Sequence, residues 1–246
     1  MSTPPKEFTI REHLEELRRR LTVAAIGTVV TTAVAFVFHR QVLLLLIHPA
    51  ERALGQKAPL VFTSTTELLG VSMKVALMGG LVLALPLWVY QVMMFVAPGL
   101  TPREKRYVFF SLPGITLAFI AGVLFGYFVL IPPALRFLLN FNTDIAKPLI
   151  SIGNYINLIT TLLFWLGVVF ETPVLMFVLA RLRIVTHRTF ARWRKLAIIG
   201  AFVLGAAITP TFDPVNQTLV AVPIILLYEA GILLAWLGRR REKRES

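Results

Sequence analysis

Six stretches of this chain are nearly free of charge and run for a bilayer's thickness or close to it. They are Leu21–Phe38, Val75–Ala97 with Pro86 inside, Tyr107–Leu135 ending near Pro132-Pro133, roughly Tyr155–Ala180, Leu196–Phe212 and Thr218–Gly238. Glu171 and Glu229 are the only charges they contain. A helix rises ~1.5 Å per residue, so ~20 such residues cross a hydrocarbon core of ~30 Å. Lipid offers no hydrogen bonds to the backbone, so each run must close its own as a helix. The expected fold is an all-α membrane protein with six transmembrane helices. With 57% hydrophobic and 15% charged residues, the chain could not cover a soluble globule. No linker, low-complexity block or internal repeat divides it, so residues 1–246 read as one domain. A cleavable leader is the rival reading of the first run, because Ala33-Val34-Ala35 resembles a cleavage site. Glu7, Glu12, Glu15 and Glu16 ahead of it are unlike a basic leader.

The net charge of +12 would suggest nucleic acid in a soluble protein. Here segments 1–20, 95–107, 181–195 and 239–246 hold nineteen of the 25 Lys and Arg. Alternating crossings put all four on one side, which the positive-inside rule makes the cytoplasm. Both termini are then cytoplasmic, as an amphipathic helix over 1–20 and a basic tail over 239–246. No nucleic-acid partner is expected. Cysteine is absent, and His13, His39, His48 and His187 show no ligand spacing, so no metal or cofactor is expected. No catalytic or nucleotide motif occurs, so the chain does not read as an enzyme.

Several polar residues stand out. Thr9 and Glu12 have capping-box spacing, and Ile10, Leu14, Leu17 and Leu21 share one helical stripe opposite Glu12, Glu15, Glu16 and Arg19. That opposite face is either a solvated face with ion pairs or a carboxylate site for a basic ligand. Thr101, Pro102 and Glu104 read as N-cap, N1 and N3 of the third helix. Glu104 could also accept a guanidinium. Glu171 lies ten residues before Arg181, about 15 Å into the helix. A charge there costs about 2.5–3.5 kcal/mol on insertion scales, so it is either a functional residue, with Asn216 and Gln217 as its expected partners if the turn that holds them is sunken, or a helix-packing carboxylate. Glu229 makes a weaker version of the same claim. The fifth crossing has only 13 residues before Thr209. Either the turn from Thr209 to Gln217 is sunk within the membrane, or the helix begins earlier, near Thr189. Gly122 and Gly126 form one small-xxx-small pair, a helix-packing signal.

The chain resembles the TatC family, the large polytopic subunit of the twin-arginine protein translocase. The resemblance rests on His13-Leu14-Glu15-Glu16-Leu17-Arg18, Tyr90-Gln91 through Phe95-Val96-Ala97-Pro98, and Glu104-Lys105-Arg106. Phe170-Glu171-Thr172-Pro173 and Thr209-Pro210 to Gln217-Thr218-Leu219 extend it over nearly the whole chain. It implies a cupped-hand arrangement of six helices with a short fifth and sixth, in the cell membrane. It implies recognition of twin-arginine signal peptides on folded cargo, and assembly with the single-span subunits TatA and TatB and with further copies of itself, driven by the proton-motive force. The signal-binding positions carried over are Glu16, Phe95 and Glu104, with Leu17 and Arg18 beside them. Glu171 and Gln217 match an intramembrane polar pair implicated in partner contacts, and Pro49 matches a position in the first outer loop. Glu15 beside Glu16 leaves open which of the two faces the ligand.

Two carboxylates on a rigid frame suit that role, because the planar guanidinium fork makes bidentate contacts that lysine cannot. Rivals from other classes are a secondary transporter coupling ions through Glu171, which would predict an inverted repeat, and a structural scaffold without a ligand.

Overall fold

The computed structural model describes residues 10–54, 60–140, 149–209 and 213–245. Thr9, and with it the expected capping box at the chain start, lies outside them. The amphipathic start and the first crossing form one helix, α1 (Ile10–Val37). Phe38 separates it from α2 (His39–Leu54), a helix in what reads as loop from the sequence. The second crossing is α3 (Glu67–Val96), followed by a 3₁₀ turn at Ala97–Gly99. The third is α4 (Pro102–Phe125), a π turn at Gly126–Leu130 and α5 (Ile131–Asn140). It therefore runs past Pro132-Pro133 and does not end there. The two prolines remove the donors to the carbonyls of Phe128 and Val129, and the wide π turn absorbs the mismatch.

The fourth crossing is α6 (Ile152–Phe170) and α7 (Thr172–Arg181), broken at Glu171. A six-residue α8 (His187–Arg192) precedes α9 (Arg194–Ile208) and α10 (Pro214–Glu245). Among the described residues, five helical stretches are long and apolar enough to cross a membrane: Arg11–Val37, Glu67–Gly99, Glu104–Asn140, Ile152–Arg181 and Pro214–Gly238. The protein is a multi-pass membrane protein. With 15 residues, α9 spans about 22 Å, short of a ~30 Å core. Trp193 separates it from α8, so the fifth helix does not begin near Thr189. The sixth helix is not short, since α10 has 32 residues. Nothing after Gly238 breaks it, because the basic run Arg239-Arg240-Arg241 is made of good helix formers.

Close backbone approaches set the packing. α1 lies along α3, where a Cβ on Gly80 would come within 2.5 Å of Thr32 Cα. Thr31 Oγ1 donates to the Gly80 carbonyl at 2.8 Å, and Trp88 Nε1 donates to Thr28 Oγ1 at 2.9 Å. Gly122 and Gly126 seat α4 on α6, as their spacing suggested: a Cβ on Gly122 would lie 2.6 Å from the Leu166 carbonyl oxygen. In α2, Pro49 cannot donate to the Leu45 carbonyl, and the Tyr127 hydroxyl does so at 2.8 Å. Tyr155 does the same for the Leu46 carbonyl at 2.8 Å.

Beyond α2, β1 (Leu60–Val61) pairs in parallel with β2 (Ile150–Ser151), joining two distant loops. Glu67 pins the same junction. Its carboxylate accepts from Thr63 N, Thr63 Oγ1, Ser64 N, Ser151 Oγ and Gly153 N.

Candidate peptide-binding site and intramembrane groove

The start of α1 lies against the end of α3, and the face it presents is not the expected one. Leu14 is 59% and Leu21 46% exposed, while Ala24 is fully buried. The packed face runs through Glu16, Arg20 and Ala24. An apolar stripe gains as much from lipid as from a helix neighbour, so Leu14 and Leu21 turn outward, and the side chains with a partner on α3 turn inward. Glu15 is exposed and Glu16 half-buried, which distinguishes the adjacent carboxylates. Leu17 is half-buried beside Glu16, and Arg18 is exposed.

Glu16 Oε1 accepts from Arg20 Nε at 3.0 Å and Nη2 at 2.5 Å. Arg20 Nη1 reaches Gln91 Oε1 at 3.4 Å. The other oxygen, Glu16 Oε2, is buried with no partner among the described residues. One turn towards the α1 start, His13 stacks on Phe95 with ring centroids 4.3 Å apart. Glu16, Arg20, Gln91, His13 and Phe95 therefore form one cluster. The Glu16–Arg20 contact is an i,i+4 ion pair of the kind a solvated helix face offers; sequence reasoning gave Gln91 and His13 no role, although Gln91 was legible as a polar residue in an apolar run.

Glu104 starts α4 as expected. Thr101 N donates to Glu104 Oε2 at 2.8 Å, Thr101 Oγ1 donates to the same oxygen at 2.7 Å, and Glu104 N donates back to Thr101 Oγ1. Arg183 also acts on this carboxylate by its charge. Arg183 ends α7 at φ 60°, the left-handed position, with Ile184 N bonded to the Leu179 carbonyl behind it. Among the described residues no hydrogen bond or ion pair joins Glu16 to Glu104. Each has its own basic neighbour, and Phe95 stands between them in the chain.

Helices α3, α4, α6 and α7 line an apolar cavity of about 590 Å³. Among the described residues, Glu171 is the only ionisable side chain on its wall, beside Phe119, Phe164, Val168 and Leu175. It sits where α6 hands over to α7, and its carboxylate makes no hydrogen bond among the described residues. The expected partners lie elsewhere. Gln217 Nε2 donates to the Phe202 carbonyl at 2.9 Å, tying α10 to α9. Asn216 is 3% exposed, bonds to Asp213, and packs with Thr209 against Leu130, Leu158 and Leu162. The described flanks of that turn therefore face protein, as irregular backbone in a membrane must. Glu229 has a partner too: Arg194 meets it with Nε at 2.7 Å and Nη2 at 2.8 Å.

These features define a polytopic helical membrane protein with an apolar cavity between its helices and a polar cluster around Glu16 where α1 meets α3. The family model described as "Sec-independent protein translocase protein (TatC)" matches residues 12–223. A TatC of Carboxydothermus hydrogenoformans is 38% identical over 94% of this chain and 93% of its own length. One from Deinococcus radiodurans is 40% identical over 91% and 84% respectively. A crystal structure described as the twin arginine translocase receptor TatC superposes with a TM-score of 0.83 at 37% identity, covering 93% of this chain and all of that one. The chain belongs to the TatC family and is a membrane component of the twin-arginine translocase.

Proposed function

We propose that this protein is the receptor subunit that reads twin-arginine signal peptides of folded cargo and nucleates the translocation complex for export driven by the proton-motive force. The observation that carries this reading is Glu16 Oε2, a buried carboxylate oxygen with no partner among the described residues, beside an aromatic stack and an arginine already in place. Burying such an oxygen unpaired is unfavourable, so a donor that reaches it gains both charge and relief of desolvation. A signal arginine fits. Glu16, Phe95 and Glu104, flanked by Leu17 and Arg18, are its contacts, and Glu104 takes the second guanidinium.

In this reading the chain crosses the cell membrane six times in a cupped-hand arrangement, α9 being the short fifth crossing and both termini cytoplasmic. The basic segments at 95–107 and 181–195 support that orientation. Glu171 and Gln217 serve contact and coupling with TatA and TatB, receptor copies associate with one another, and no chemistry is catalysed.

The test is photo-crosslinking of a purified twin-arginine signal peptide to the full chain in membranes, against a twin-lysine control. Selective crosslinking to the ends of α1 and α3 is expected. Equal labelling by both peptides would exclude arginine reading.

A further inference from the structure

Lys74 lies seven residues into α3, inside a membrane-spanning stretch. Its side chain is half-buried, and Nζ donates to Asn157 Oδ1 on α6. A cation at such a position calls for a counter-charge, and an amide supplies none. Glu67, the acid at the start of the same helix, already accepts five donors of the β1–β2 junction. No carboxylate pairs with Lys74 among the described residues.

The donors at this spot are unspent. Among the described residues Asn157 uses only its oxygen, which leaves both Nδ2 hydrogens, and Lys74 keeps two of its three. Asn154, one turn closer to the helix start, is exposed and adds another amide. The lining on the other side is apolar. Seven residues bring a helix back to the same face about 10 Å further on. From Lys74 that step leads to Leu81, and from Asn157 to Phe164; both line the 590 Å³ cavity, with Leu85, Trp88 and Val168 beyond.

We propose that Lys74 and Asn157 form a headgroup site for an anionic phospholipid whose acyl chains lie in the apolar cavity. The phosphate accepts from the ammonium and the amide, and supplies the missing negative charge. The chains reach about half of a ~30 Å core, or about ten residues of helix from Lys74, which carries their ends over Leu81 to the level of Leu85, about one turn short of Trp88. A zwitterionic headgroup brings its own ammonium and no net charge, so it fits less well. The proposal is independent of how signal peptides are read.

The test uses the full chain in dodecyl maltoside, with Trp165, Trp193 and Trp236 replaced by Phe so that Trp88 alone reports. Phosphatidylglycerol brominated near its chain ends is titrated in and Trp88 emission followed. Saturable quenching is expected, with a midpoint about tenfold lower than for brominated phosphatidylcholine, as one charged hydrogen bond implies. Lys74→Gln removes that difference and Lys74→Arg keeps it. Should Lys74→Gln fail to fold, Asn157→Leu is read in the same way. Equal midpoints for the two lipids in the parent, or an unchanged phosphatidylglycerol midpoint in the variant, overturn the proposal. So does the absence of quenching by either lipid, which would leave the cavity to another occupant such as a partner helix.

Discussion

Arg20 grips one oxygen of Glu16 with two nitrogens, at 2.5 and 3.0 Å, while the other oxygen stays buried and, among the described residues, unpaired. The carboxylate therefore already holds a guanidinium from its own helix, one turn along. An arriving arginine must take the second oxygen or displace the first.

Arg20 is thus a competitor for its neighbour's charge. Arg20→Gln should strengthen binding of a twin-arginine peptide about threefold to tenfold, the range of one exposed charged contact. Glu16→Lys should weaken it by more than tenfold. Titration of a labelled signal peptide into the purified protein measures both. Weaker binding by Arg20→Gln would show that Arg20 positions Glu16 and does not compete for it.

Glu104 caps α4 and is also the proposed second reader, and two variants separate these roles. Thr101→Ala breaks the capping box but leaves the carboxylate, so it should cost about 1 kcal/mol of stability and little affinity. Glu104→Gln keeps the side chain's shape, a hydrogen-bond acceptor and much of the cap, so it should lose peptide affinity with little change in melting temperature. Equal effects of the two variants on peptide binding would make Glu104 a structural residue only.

Glu171 lies in the cavity wall, ten residues before the α7 end at Arg181 and about 15 Å from it. It is too far inside to touch a peptide head at the α1–α3 end. Glu171→Ala should leave signal-peptide crosslinking intact and impair transport or partner assembly. Glu171→Gln should keep part of the activity if hydrogen bonding outweighs charge in a dry site. Transport assays in vesicles, run beside crosslinking, distinguish these outcomes. Loss of crosslinking in a folded Glu171→Ala protein would contradict the assignment.

The chain has no cysteine, so single cysteines report topology without background. Placed at 95–107 or 181–195 they should react with an impermeant thiol reagent from the cytoplasmic side only. Placed at 40–66 or 132–150 they should react from the outside only. Opposite sidedness of the two termini would rule out an even number of crossings.

What depends on near neighbours in the chain was legible in the sequence. The long crossings follow from apolar length, the Thr101–Glu104 capping box from a four-residue pattern, and the α4–α6 contact from Gly122 and Gly126. α2 was not legible, because 16 residues with a proline inside read equally well as loop. Its carbonyl at Leu45 is satisfied by Tyr127, a residue 82 positions away.

The sequence by itself determined that this protein lives in a membrane, where its helices run and which family it belongs to. Each of these needs only composition, local periodicity or motif order. The tertiary structure decided which side of each helix is inside. It turned Glu16 inward and Glu15 outward, sent Leu14 and Leu21 to the lipid side, gave Glu229 to Arg194, and bound Gln217 to the Phe202 carbonyl of α9, with no bond to Glu171 among the described residues. In water an apolar stripe marks the buried face. In lipid the surroundings are as apolar as the core, so hydrophobic pattern carries no such information, and close packing and hydrogen bonds between distant segments make the choice.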